Sequence, residues 1–390
     1  MAAIDPGRGL SARAARKYLF ALALAACLEK TACAKTDVQF ILNSMYQSGH
    51  GGKQVYDGSG DQSLTLFEPV LYIDSSIDHN TSIFGSVVLD ALTAASAKAF
   101  DSATGASNHG KPTNPGGASW QTREGADLGF SKRTGSWAFT PTAGYSSELS
   151  YRSAHGGLNV QKFLAEDNFV LSGGVFHFSD AANPWDLAKK DFAGFKSKTT
   201  NSANVSATQI LGQRDIALAG LSYTAQNGFL EGTRNTVSTG TVTERASEVL
   251  PQDREKWTAN ARYVHALGAN TAFHLDYRYY TDSWNIRANT WEPSLAFSFS
   301  EDTKVLRVLY RRYSQSAAKY YADSFAGTRD FMTSDSDLAE FTANEGGVQL
   351  SGSWEGEDGT DWEAGGTALY YRRSNDLQAV IVQLSLTAKF

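Results

Sequence analysis

The strongest constraint on this chain is its final stretch. Residues 377–390 read Leu-Gln-Ala-Val-Ile-Val-Gln-Leu-Ser-Leu-Thr-Ala-Lys-Phe. Val380, Val382, Leu384, Leu386, Ala388 and Phe390 fall on one face; Gln383, Ser385, Thr387 and Lys389 fall on the other. A period of two over this length is a strand with apolar surroundings on one side and polar surroundings on the other. A soluble domain seldom carries such a face to its last residue, because chain ends fray into water. A transmembrane β-barrel has a reason to do so: its last strand closes on its first and faces lipid.

The same alternation recurs upstream. Trp137, Phe139, Ala143 and Tyr145 oppose Thr140, Thr142, Gly144 and Ser146; Phe273, Leu275, Tyr277 and Tyr279 oppose His274, Asp276, Arg278 and Tyr280; Trp291, Leu295, Phe297 and Phe299 oppose Glu292, Ser294 and Ser298. Sixteen strands are expected near 37–47, 63–75, 81–92, 120–131, 136–147, 151–164, 168–179, 204–213, 215–226, 256–266, 271–281, 284–299, 304–314, 338–354, 361–373 and 377–390. Their lengths suit tilted membrane strands. Every second connection is short, as at 76–80, 132–135, 165–166 and 267–270, whereas 48–62, 93–119, 180–203, 227–255 and 315–337 are long. Short periplasmic turns alternating with long extracellular loops is the barrel rule, and a soluble sandwich has no reason to sort its loops this way. Pro141 and Pro293 fall inside strands, on outward faces, which calls for a local bulge.

Composition agrees. Mean hydropathy is -0.33, with 21 Phe, 17 Tyr, 8 Trp, 35 Gly and only 8 Pro. No apolar run after the leader is long enough for a membrane helix. The formal charge of -6 argues against nucleic acid as a partner. Residues 1–34 read as a signal peptide: Arg8, Arg13, Arg16 and Lys17 precede the apolar run Tyr18 to Ala26, and Ala32-Cys33-Ala34 suits cleavage. Leu24-Ala25-Ala26-Cys27 alternatively resembles a lipoprotein box that would acylate Cys27. Cleavage after Ala34 removes both cysteines, and with them disulfides and haem attachment. Residues 35–390 then form one all-β antiparallel transmembrane barrel of about sixteen strands, expected in the outer membrane of a Gram-negative cell.

Three stretches carry a family resemblance: Tyr277-Arg-Tyr-Tyr-Thr-Asp-Ser-Trp284, Tyr310-Arg-Arg-Tyr-Ser-Gln-Ser-Ala-Ala-Lys-Tyr-Tyr321, and Glu248-Val-Leu-Pro251 ahead of Arg254. Together they resemble the bacterial outer-membrane family catalogued as domain of unknown function 3570, over essentially the whole mature chain. The resemblance implies a barrel and its location but no settled activity. The terminal strand, ending on Phe390, also resembles the signal read by the barrel assembly machinery.

Arg262, Arg278, Arg307 and Arg311 fall on lumen faces with Asp276 and Glu292. They read either as a charged constriction that selects solutes or as an internal ion-pair network bracing the barrel. Tyr and Trp at strand ends read as interface girdles. His50, His109 and His155 each precede a glycine, but no spacing indicates a metal site. No Gly-X-Ser-X-Gly nucleophile motif appears, so a hydrolase has little support.

One loop motif stands apart. Asp101-Ser-Ala-Thr104-Gly105-Ala106-Ser107 resembles the acceptor sequence of secreted flavin transferases, which move FMN from FAD onto the hydroxyl of the last residue. Ala103 departs from the usual Ile or Leu. Asp90-Ala-Leu-Thr-Ala-Ala-Ser96 is a weaker copy, with Ala94 where Gly is expected. The resemblance implies covalent FMN on Ser107 or Ser96, a flavin transferase and periplasmic redox partners, and a role in extracytosolic electron transfer. The alternative is a porin-like channel for small solutes with no redox role.

Overall fold

The computed structural model describes residues 35–49, 64–94, 119–189, 191–233, 235–240, 245–301 and 303–390. The proposed leader, with Cys27 and Cys33, lies outside them. In chain order the strands are β1 (Thr36–Gly49), β2 (Leu64–Asp78), β3 (Thr81–Ala94), β4 (Ser119–Thr134), β5 (Trp137–Ser147), β6 (Tyr151–Leu164), β7 (Phe169–Ala182), the loop strands β8 (Trp185–Asp186) and β9 (Asp191–Phe192), β10 (Lys196–Ile210), β11 (Asp215–Gly228), the loop strands β12 (Thr236–Ser238) and β13 (Arg245–Ser247), β14 (Asp253–Ala266), β15 (Thr271–Asp282), β16 (Arg287–Phe299), β17 (Lys304–Gln315), β18 (Phe341–Glu355), β19 (Asp361–Arg373) and β20 (Leu377–Lys389). Sixteen of these pair antiparallel in one closed barrel, each with its neighbour in sequence; β8–β9 and β12–β13 are separate hairpins. Closure is made by β1 on β20, in register from Asp37↔Lys389 to Gly49↔Leu377. No open edge remains to recruit another chain.

Alternation decides what each wall presents. Leu128, Val175, Val205, Leu221, Val348 and Leu384 point outward and are exposed on the protein surface. In lipid this band is the favourable face. Exposed aromatics bracket it: Trp137, Phe139, Phe299, Trp354 and Phe390 toward the turn end, and Tyr46, Tyr145, Trp257, Tyr310 and Tyr370 toward the loop end. These are the expected girdles. The strands continue past the second ring, where Ser179, Asn201, Asn227 and Glu255 face outward.

The sequence pattern places most strands within a few residues of where they lie. The largest difference is β10, which begins at Lys196 and not near residue 204, so the preceding connection is short. Its first residues, Lys198 to Ser202, are polar on both faces and show no alternation, yet they pair on one flank with β7 and on the other with β11.

The prolines require a second correction, because no bulge accompanies them. Pro141 interrupts only the β4–β5 ladder, between Gly129↔Thr142 and Lys132↔Phe139. Pro293 interrupts only β16–β17, between Trp291↔Arg312 and Ser294↔Leu309. The register is the same on both sides of each gap, so no residue has been inserted. In an antiparallel sheet each residue directs its N–H and C=O to a single neighbour. A proline therefore costs one ladder and leaves the other intact, as Pro141↔Leu158 and Leu275↔Pro293 show.

Candidate functional site: the lumen and the loop assembly at its mouth

The sequence-predicted lumen residues share one wall. Arg262 lies on β14, Asp276 and Arg278 on β15, Glu292 on β16, and Arg307 and Arg311 on β17. Register sets Arg262 beside Asp276 and Asp276 beside Glu292, while Arg311 is opposite Glu345 of β18. The result is a row of charges across five strands, in which Arg262 and Arg311 flank the adjacent carboxylates Asp276 and Glu292, with Glu345 beyond Arg311. Arg262 Nε lies 2.6 Å from Asp276 Oδ1, and Arg311 reaches Glu292 at 3.8 Å and Glu345 at 4.0 Å. Ion pairs link this part of the wall into a network.

Two of the predicted arginines are outside that network. Arg278 is in register with Asn260 and Thr290, and Arg307 with Ala296 and Gln349, so no carboxylate stands beside either. No salt bridge or side-chain hydrogen bond joins Arg278, Arg307 or Lys256 to another described residue. Arg278 is exposed inside the barrel. Lys256 lies in register with Asp282, whose attraction works against the repulsion of Arg254 and Lys198. The sequence reading missed Lys256, Arg254 and Lys198; inward parity on β14 was available to find the first two, whereas Lys198 sits where alternation lapses.

The facing wall has the opposite balance. Glu68 on β2, Asp90 on β3 and Asp127 on β4 point inward, with Arg123 of β4 the cation among them. Asn43 donates to Glu68 Oε1 at 2.8 Å, Arg123 Nε stands 2.5 Å from Asp90 Oδ2, and His155 Nε2 is 2.8 Å from Asp127 Oδ1. Gly144 makes room for that last pair: a Cβ there would run into both Asp127 Oδ1 and the His155 ring. In the barrel order, β3 and β15 stand eight places apart out of sixteen, so these walls face each other across the lumen. Asp90, read in sequence as part of the weaker flavin-acceptor copy, is thus a strand residue with its carboxylate against Arg123. Ser96, Asp101, Thr104, Gly105, Ala106 and Ser107 lie outside the described residues.

At the loop end, the three sequence blocks that carried the family resemblance come together. Leu250, Trp284, Ile286, Ala318 and Leu338 are buried against one another, with Leu230, Tyr280, Tyr320 and Tyr321 packed around them. Asp282, whose side chain is fully buried, organises the join. Its Oδ1 accepts the backbone N–H groups of Trp284 at 3.0 Å and Ile286 at 2.9 Å. Its Oδ2 accepts from Arg254 Nε at 2.9 Å, Arg254 Nη2 at 2.5 Å and the Tyr280 hydroxyl at 2.8 Å. The Arg254 guanidinium also lies 4.1 Å above the Trp284 ring. Hydrophobic burial and one carboxylate therefore fasten the 229–252 and 316–340 connections to the barrel rim.

A second cluster, Val237, Phe325 and Met332, lies in these same connections. Beside it Glu248 is buried and accepts from Thr333 Oγ1 at 2.5 Å and from the Gly232 N–H at 2.8 Å. Burial, and then the charge of Asp335, push its carboxyl up to about 8. The short 3-10 turn Ser336–Leu338 descends onto the inner wall. There Arg373 Nη1 meets Asp337 Oδ1 at 2.6 Å, and Gln315 Nε2 donates to the carbonyls of Asp337 at 2.9 Å and Ala339 at 2.6 Å. A cavity of about 280 Å³ remains between this turn and the wall, with Arg311, Tyr313 and Tyr371 among its lining residues.

A closed antiparallel barrel, apolar outside and charged within, belongs to the membrane-spanning β-barrel class. The chain belongs to the family described as "Protein of unknown function (DUF3570)", whose model matches residues 60–388. A comparison with curated proteins found no match. Among solved structures, OccK1 (OpdK) of Pseudomonas aeruginosa is similar at 9% identity and a TM-score of 0.44, over 92% of this chain and 99% of that one. A structure described as a bacterial polysaccharide outer membrane secretin is similar at 11% identity and a TM-score of 0.48, over 92% of this chain and 98% of that one. The barrel architecture itself rests on the chain's own strand pairing.

Proposed function

We propose that this barrel spans the outer membrane of a Gram-negative cell, turns toward the periplasm and long loops outward, and serves as a channel for small polar solutes. The observation that carries this reading is the pair of inward cations with no carboxylate in register beside them among the described residues, Arg278 and Arg307. A charge with no counter-ion needs water, and inside a barrel that water must occupy the lumen. Sixteen strands give a wall wide enough to hold it. Conductance in planar bilayers tests the proposal. Open-channel steps are expected, and replacing Arg278 and Arg311 by Gln should shift selectivity toward cations. Well-folded protein that never conducts would retire the channel.

A second reading is supported by the Asp101–Ser107 sequence: FMN attached through a phosphoester to Ser107, or to Ser96, by a flavin transferase, with electrons passed to periplasmic partners. Co-expression with an active transferase should give a band that fluoresces after boiling in detergent and gains the mass of FMN less water. Ser107→Ala should abolish both signals if Ser107 is the acceptor. A dark band of unmodified mass would eliminate the redox role.

A further inference from the structure

Charge is separated across the lumen. Arg278 and Arg307 project from β15 and β17 with no carboxylate in register beside them among the described residues. On the facing strands stand Glu68, Asp90 and Asp127; Asp90 pairs with Arg123, while Asp127 meets His155 and Glu68 accepts from Asn43. Asp90 and Arg278 both sit in the loop-side half of diametrically opposed strands. Any solute passing between them crosses from a carboxylate-rich surface to a cation-rich one.

We infer that the lumen aligns and favours small zwitterions of the amino-acid type, their ammonium group toward Glu68 and Asp127 and their carboxylate toward Arg278. This rests on the channel reading. The physics is that of a dipole in a transverse field. A simple anion gains at one wall and loses at the other, and a simple cation does the reverse, so neither is strongly preferred. A zwitterion of matching polarity gains at both. Low-dielectric walls concentrate the field in the aqueous path between them. Fixed opposite charges offer pre-oriented counter-groups while the solute keeps most of its water.

Isomers provide a test that removes size as a variable. Glycine and glycolamide share one molecular formula, but only glycine is dipolar-ionic at neutral pH, and alanine and lactamide form a second such pair. Uptake into liposomes containing the full barrel is measured for each. The expected zwitterion-to-amide ratio is about twofold or more, a small part of the concentration effect that focused fields produce. The ratio should fall toward one in Arg278→Gln, and separately in a Glu68→Gln, Asp127→Asn double variant, because either wall alone gives no alignment. It should also fall as salt is raised. A wild-type ratio of one overturns the inference without any variant having to fold, as does a ratio unaffected by both replacements. If the neutral amides do not enter at all, the channel reading itself falls, and this inference with it.

Discussion

Replacing Asp282 by Asn probes how the loop assembly is held. The side chain keeps its shape, and its carbonyl can still accept from Trp284 and Ile286. The other oxygen becomes an amide that presents N–H groups to Arg254 and Tyr280, which are themselves donors. The Arg254 side chain is only 14% exposed, so its charge is left largely buried without a counter-ion. Hydrogen bonds to a charged group contribute about 1.5–3 kcal/mol each, and removing one member of a buried pair costs about 3–5 kcal/mol. We expect a local loss near the lower end of that range, about 3 kcal/mol, since the Trp284 ring still covers the guanidinium. Every ~1.4 kcal/mol is tenfold in an equilibrium, so the amides of Ile286, Ala318 and Lys319 should open on the order of a hundred times more often. Hydrogen exchange on the detergent-solubilised barrel reads this directly, with the strand ladders as internal reference. Combining Asp282→Asn with Arg254→Met should recover part of the loss, because an uncharged pair leaves no stranded charge. Unchanged exchange at Ile286 in the single variant, or strict additivity in the double, would refute the reasoning.

Leu386 lies on the lipid face, paired with Phe40 and Ala364, so Leu386→Asp should cost up to roughly 2–4 kcal/mol and reduce the heat-modifiable folded form on gels; deleting Phe390 should likewise impair assembly. Glu248, at about 8, retains a proton in the folded state that an unfolded chain releases in the ordinary carboxylate range; its contribution is complete below that range and is lost as pH rises through 8. Limited proteolysis of the 229–252 and 316–340 connections should therefore accelerate from pH 7 to 9, and Glu248→Gln should flatten the profile. Gly144→Ala should break the Asp127–His155 contact, visible as a displacement of the His155 ring signals by NMR.

Much of the barrel is legible because lipid and water impose period two. Strands with bulky outward residues, such as β15 and β20, announce themselves. Where the outward face meets water the rule lapses, and Lys198 to Ser202 carries no signal although it pairs as fully as any segment. In the lumen, sequence identifies Arg262, Asp276, Glu292 and Arg311 as inward, and cross-strand register pairs them. That Arg278 and Arg307 go unpaired depends on Asn260, Thr290, Ala296 and Gln349 standing beside them, which no local pattern reveals. The loop assembly is the least legible part: Leu250, Trp284 and Leu338 are far apart in sequence and meet because the successive pairings from β11 to β18 bring their connections to one stretch of the rim.

The strand ends beyond the loop-side aromatic ring give the barrel a parapet. Ser179, Asn201 and Asn227 stand there facing outward, on backbone still fully laddered to its neighbours. Backbone hydrogen bonding, and not lipid, stiffens this section. The fastening at Asp282 begins just past this ring, since Asp282 pairs with Lys256, next to Trp257. Membranes differ in thickness, and a barrel accommodates this by riding higher or lower in the lipid. Here such vertical play is taken up along a polar wall indifferent to immersion, so the loops and the mouth they surround keep their geometry as the membrane changes around them.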